Sequence, residues 1–174
     1  MTLPAAPSGW SLILDVSQFN GRIRDVGALM AAGVRALSIR AVDGEHDTDS
    51  ESAHTASSCA LAGLPYQVYG VIENYGPKRA AAQAVRLASA HRDLGAWLAP
   101  AMDLELPVHP ERLTPDGARA CIDAARVYVE TVADRLGALP FCYTSAYFLD
   151  TLQRVAGASS APDLEAIARC EGWI

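Results

Sequence analysis

Residues 97–110 read WLAPAMDLELPVHP. The front half has the apolar density of a strand buried on both faces, yet Asp103 and Glu105 stand inside it with only Leu104 between them. Strands of that kind are near-continuously apolar, and an unpaired buried carboxylate costs on the order of several kcal/mol after relaxation. Side chains two apart on a strand point to one face, so the two acids share a side and Leu104 takes the other. Pro107 and Pro110 stop the strand just beyond them. The stretch thus reads as a strand whose last residues turn from packing to chemistry.

Outward from this strand the chain alternates. SLILDVS (11–17), RALSIRA (35–41), PYQVYGVI (65–72) and LPFCYTS (139–145) are short apolar or β-branched runs that suit strands. Between them lie helical patterns. VGALMAAGV (26–34) and SAHTASSCALAGL (52–64) each carry a glycine able to end a helix, at Gly33 and Gly63. PKRAAAQAVRLASAHRDLG (77–95) is alanine-rich and opens on proline. TPDGARACIDAARVYVETVADRLG (114–137) is the longest, with Thr114 as N-cap, Pro115 in the first turn and Asp116 near the positive end of the dipole. AYFLDTLQRVAG (146–157) is the last. Five successive strand–helix units with right-handed crossovers build a parallel sheet, either open and doubly wound or closed into a (β/α) barrel. In both, chemistry gathers in the loops at the carboxyl ends of the strands. No GxGxxG follows the first strand and no GxxxxGK[ST] occurs anywhere, which disfavours the nucleotide-binding versions and leaves the barrel as the better expectation.

Composition narrows the function classes. The chain has 174 residues, half of them apolar, enough for one domain (1–174) with its own core behind a short N-terminal tail over residues 1–10. No apolar run approaches the ~20 residues of a membrane span, and MTLPAAPSGW lacks the basic and apolar regions of a secretory signal. Net charge is −6 with scattered Lys and Arg, which argues against nucleic-acid binding. The four cysteines, Cys59, Cys121, Cys142 and Cys170, form no CxxC pair and read as small buried hydrophobes. His46 and His54 flank EHDTDSESAH, which could hold a cation but reads more simply as a solvated loop entering a helix.

Asp15 ends the first strand as Asp103 and Glu105 end the fourth, so a barrel would bring three carboxylates to one mouth. Repulsion and partial burial should raise the pKa of at least one, placing a protonated acid beside ionised neighbours, as glycosidic-bond cleavage requires. Each acid alone also fits an ordinary part: Asp15 in a turn, Asp103 paired with Arg40, Glu105 in solvent at a strand end. Carboxylates at a barrel mouth can also hold Mg²⁺ or Ca²⁺ for phosphodiester hydrolysis, but LDVSQ and IRAVDG offer none of the histidines that chemistry would want.

The ordered set LDVSQFNG, GVRALSIRAVDG, AGLPYQVYG, AQAVRLASA, PAMDLE and LPFCYTSAYF resembles the family-25 glycoside hydrolases, the Chalaropsis-type lysozymes, over nearly the whole of residues 12–147. The resemblance implies a TIM-like (β/α)5β3 barrel that cleaves the β-1,4 bond between N-acetylmuramic acid and N-acetylglucosamine in peptidoglycan, with neither metal nor cofactor. It implies Glu105 as general acid, Asp103 as its helper in orienting the substrate's N-acetyl group, and Asp15 as a shaper of the cleft. Asp43 stands where that family often has glutamate, Arg40 where it has lysine, and Gly70 where it often has histidine. Tyr69 and Tyr143 match aromatics of the sugar groove, although a core role fits each tyrosine as well. EGWI (171–174) resembles the start of the sixth strand, and the family's last strands, with a further aspartate, have no counterpart here. The expectation is therefore a C-terminally incomplete barrel, completed by a downstream segment or another subunit. Two functions stay open: an active peptidoglycan hydrolase, as in a phage lysin or virion-associated lysozyme, and a lysozyme-derived structural or glycan-binding module.

Overall fold

A computed structural model of the chain describes residues 11–73, 76–105, 113–157, 165, 167–170 and 172–173. The N-terminal tail, Pro107, Pro110, Glu171 and Ile174 lie outside these residues.

The strands are β1 (Leu12–Val16), β2 (Val34–Asp43), β3 (Asp47–Thr48), β4 (Tyr66–Val71), β5 (Ala101–Asp103), β6 (Phe141–Tyr143) and β7 (Gly172–Trp173). The helices are α1 (Val26–Ala31), α2 (Ser52–Ala62), α3 (Pro77–Asp93), α4 (Pro115–Leu136) and α5 (Ala146–Ala156). The sheet runs β1-β2-β4-β5-β6-β7 with every neighbouring pair parallel, and β3 folds back antiparallel onto β2. Strand order follows chain order, as expected when each crossover helix returns the chain to the next position along one edge. The sheet curls into a half-barrel, the α/β fold of a TIM-like barrel without its closing strands. Among the described residues, β1 and β7 are the two ends of the hydrogen-bonded path.

Each helix sits where its terminal signals place it. Thr114 accepts a hydrogen bond from the Gly117 N–H at 3.1 Å, and Pro115 occupies the first turn of α4. Gly63 and Gly137 close α2 and α4 in the left-handed conformation, both at φ 71°, where a Cβ would be strained. The convex face of the sheet and the inward faces of the helices form the core: Leu37, Ile39, Val68 and Met102 from the strands, with Leu104 just past β5, meet Leu87, Ile122, Val129 and Leu152 from the helices. Full burial of each such side chain is worth about 1.5–3 kcal/mol. All four cysteines are buried and unpaired, and burial pushes Cys121 and Cys142 up to about 12. No described helix is long and apolar enough to cross a membrane.

Two elements differ from their sequence reading. The strand expected over the front of WLAPAMDLE shrinks to Ala101–Asp103. Trp97 lies before it, half-exposed, its ring 6.3 Å from that of Tyr66. The reason is pairing: β4 and β6 run beside β5 for three residues only, and Pro100 has no N–H to extend the ladder. Nor is EHDTDSESAH merely a solvated loop. Asp47 and Thr48 pair with Asp43 and Val42 as β3, and Asp49 is buried at 4% exposure.

Candidate active site

Register decides what meets at the carboxyl ends of the strands. Asp43, Val71, Asp103, Tyr143 and Trp173 are successive partners in one row across β2, β4, β5, β6 and β7. Arg40 and Tyr69 are partners just below that row, and Asp15 of β1 pairs with Ser38. Partners in a parallel ladder share a face, so Asp15, Arg40, Asp43, Tyr69, Asp103 and Tyr143 line the concave side with Val71, while the apolar residues between them face the helices. Lower on that side the Gln67 amide donates to the Ser38 hydroxyl at 3.0 Å.

Asp103 is fixed at the backbone from both sides. Its carbonyl accepts from the Ile72 N–H at 3.1 Å, and the next N–H, of Leu104, donates to the Tyr143 carbonyl at 2.9 Å. Its carboxyl is half-buried, and Oδ1 has no hydrogen-bond partner. Burial, reinforced by the negative charges of Glu105, Asp15 and Asp43, pushes the carboxyl up to about 7. Arg40 opposes this through its charge but does not pair with Asp103. The expectation that burial and repulsion raise at least one acid therefore holds, most strongly at Asp103.

Glu105 lies two residues past Asp103, beyond the strand, and is solvent-exposed. It nonetheless belongs to the cluster: it hydrogen-bonds Tyr143, and its charge raises both Asp103 and Asp15. The Tyr143 phenol is itself raised, chiefly by the charge of Glu105. Asp15 sits within β1 rather than in a turn, and partial desolvation raises its carboxyl despite a hydrogen bond from Tyr69 and the charge of Arg40. Tyr69 is only 6% exposed, so it offers the cleft a hydroxyl bonded to Asp15 more than a ring face. Burial, then the charge of Asp15, raises that phenol strongly. Asp43 accepts from Arg40 Nη1 at 3.3 Å, and its Oδ1 has no hydrogen-bond partner. All six residues singled out in the sequence thus converge on one concave surface.

Sequence reasoning missed what organises them. Asp49 accepts from Arg40 Nε at 3.1 Å, from the Gln18 N–H at 2.7 Å and from the Glu51 N–H at 3.0 Å. It therefore ties β2, the loop after β1 and the start of α2 to one buried carboxylate. Gln18 completes the tie by accepting from the Ser50 N–H and hydroxyl, both at 3.1 Å. An arginine inside RALSIRAVD was the available signal, because a buried guanidinium demands a carboxylate partner. Among the described residues no group of three or more His, Cys, Asp or Glu side chains could hold a metal ion.

Comparison with known proteins bears on the fold and the family. The family model for glycosyl hydrolases family 25 covers residues 14–162. No curated protein matches the chain. Among solved structures, the modular autolysin LytC from Streptococcus pneumoniae, determined with a synthetic peptidoglycan ligand, superposes with a TM-score of 0.71 at 19% identity. That superposition covers 82% of this chain and 34% of LytC, so the chain spans about a third of that protein's length. The catalytic domain of endolysin ply40 from bacteriophage P40 of Listeria monocytogenes gives 0.65 at 19% identity, over 84% of this chain and 68% of that one. A muramidase from Acremonium alcalophilum gives 0.68 at 22% identity, covering 92% and 74%. At such identities the structures speak for the fold, while the sequence model spans most of the chain: the chain belongs to the glycosyl hydrolases of family 25.

Proposed function

We propose that the chain is a peptidoglycan hydrolase of the lysozyme type, a muramidase that cleaves the β-1,4 bond from N-acetylmuramic acid to N-acetylglucosamine. The observation that carries this reading is the coupled pair at the end of β5, where Asp103 is held near pKa 7 beside the exposed Glu105. Burial, then the negative charge of Glu105, favours the protonated form of Asp103, so the cleft holds a proton near neutrality. In the resting protein burial leaves that proton on Asp103. A glycan laid across the cleft brings its glycosidic oxygen to the exposed Glu105. The substrate's acetamido N–H, donated to Asp103, favours the ionised form there. Occupancy therefore moves the proton towards Glu105, the group open to the leaving oxygen.

The reaction then follows from these positions. Glu105 gives its proton to the glycosidic oxygen as the C1–O bond breaks. The acetamido carbonyl oxygen closes on C1, and the Asp103 carboxylate stabilises the resulting positive ring. Water reopens that ring and returns a proton to Glu105. Asp15, held by Tyr69, and Asp43, held by Arg40, keep the surroundings negative, which suits an oxocarbenium-like transition state. The peptidoglycan ligand of LytC supports this choice of substrate, and the phage endolysin ply40 supports a lysin of phage origin.

Release of reducing sugar from purified cell walls tests the reading. Wild type should release it, and Glu105→Gln should lose about 10²–10⁴-fold, the usual contribution of a general acid. Equal release by both proteins would remove Glu105 from the role. Binding without release by the wild type would identify a glycan-binding module instead.

A further inference from the structure

The loop that follows β1 carries Phe19 on a 3-10 turn, Gln18–Asn20, with 81% of the residue exposed. A single exposed aromatic is ordinary on a protein surface. What sets this one apart is how firmly its backbone is held and what lies under its ring. Ser17 and Asn20 cap the turn reciprocally: the Ser17 N–H donates to Asn20 Oδ1 at 2.8 Å, and the Phe19 N–H reaches Ser17 Oγ at 3.4 Å. Gln18 is tied to Asp49 and Ser50, as described above. None of these bonds uses the Phe19 side chain. The ring lies over the guanidinium of Arg40, whose Cζ is 4.7 Å from its centroid. Arg40 is 8% exposed, is locked to Asp43 and Asp49, and acts by charge on both Asp15 and Asp103.

From this arrangement we infer that Phe19 is a glycan-binding platform, presenting its free face to a pyranose ring of the substrate beside the carboxylate cluster. This rests on the peptidoglycan-hydrolase reading and adds a binding residue to it. The chemistry is direct. One face of an amino-sugar ring is a patch of C–H groups, which packs against an aromatic face and gains from removing both from water. Arg40 occupies the other face and fixes the ring's orientation by a cation–π contact. The capped turn holds the platform in place before ligand arrives, which lowers the ordering cost of binding. The buried Tyr69 offers no such face, so stacking at this end of the cleft falls to Phe19.

The test uses the full chain and a soluble, uncross-linked glycan of alternating N-acetylglucosamine and N-acetylmuramic acid. Phe19→Ala should raise KM about tenfold while kcat stays within about twofold, the split expected for uniform binding of ground and transition states. Phe19→Trp should restore the wild-type KM or lower it, and the melting temperature of both variants should match wild type. An unchanged KM in Phe19→Ala overturns the proposal, as does a fall in kcat with KM unchanged. Should the wild type prove inactive on this glycan, the hydrolase reading fails separately, and NMR of ring-labelled phenylalanine decides the platform. A Phe19 resonance that shifts on titration with that glycan upholds it, and one that stays in place overturns it.

Discussion

The Arg40 Nε donates to Asp49 Oδ2 at 3.1 Å, with the Asp49 side chain 1% exposed and that of Arg40 10% exposed. A buried ion pair of this kind adds little when compared with a well-packed apolar pair, but removing one partner leaves a charge stranded. Here the loss extends further, because the Gln18 N–H donates to the same Oδ2 and the Glu51 N–H to Oδ1 of that carboxylate. Asp49→Ala should therefore destabilise the protein by about 3–5 kcal/mol, read as a lowered midpoint in urea unfolding. Asp43→Asn removes the more exposed partner of Arg40 and should cost much less. A loss below about 1 kcal/mol for Asp49→Ala would show that Arg40 finds adequate solvation without it.

Gly70 in β4 leaves no room for a side chain. A Cβ there would lie 2.6 Å from the Tyr128 hydroxyl oxygen and 2.8 Å from Val42 Cγ2. Tyr128 is fully buried in α4, and its hydroxyl has no hydrogen-bond partner. Gly70→Ala should cost about 1–3 kcal/mol, the usual range for overpacking. Tyr128→Phe removes one of the two clashing atoms together with an unsatisfied polar group, so it should be neutral or stabilising by itself. The double variant should then recover part of the loss. Strictly additive stabilities in that double-mutant cycle would deny the contact.

These two sites show where sequence reading succeeds and where it stops. The alternation of short apolar runs with capped helical patterns carried the strand order, because Gly63, Pro115 and Thr114 act on their own neighbours. The spacing of Asp103 and Glu105 carried the place of the cluster, since strand geometry is also local. Asp49 was misread because its partners are distant: Gln18 is 31 residues away, and Arg40 lies across a hairpin that polar composition disguises. Phe19 was passed over for the same reason, as nothing in LDVSQFNG shows that a guanidinium lies beneath its ring. The length of β5 was overestimated because apolar density in WLAP cannot say how far the neighbouring strands extend.

Asp103 should leave a signature in the pH dependence of stability. Burial, with the charges of Glu105, Asp15 and Asp43, raises its folded pKa from 3.8 to about 7. Between those values the folded protein holds a proton that the unfolded chain releases, so stability is full below the lower value and declines as pH rises to the upper. The raised Asp15 contributes with the same sign. Because the Asp103 carboxyl keeps some solvent contact, about 1–2 kcal/mol is expected across the window rather than the full linkage value. Urea unfolding from pH 4 to pH 8 measures it. Asp103→Asn should flatten most of the slope, and an unchanged slope in that variant would place the proton elsewhere.

The hydroxyl of Tyr69 should govern the charge of Asp15. Its hydrogen bond is the largest influence holding that carboxyl down against desolvation, ahead of the charge of Arg40. Tyr69→Phe keeps the buried ring and deletes only the donor, so the Asp15 pKa should move further up, with little change in the packing of β4. Carboxyl-carbon NMR titration of Asp15 reads the shift directly. Asp103 should follow in the opposite direction, because an Asp15 protonated over more of the range repels it less. The two shifts together distinguish a shared electrostatic cluster from two independent carboxyls. If Asp15 moves while Asp103 stays in place, Asp15 has no part in raising Asp103 and the two titrate as independent carboxyls.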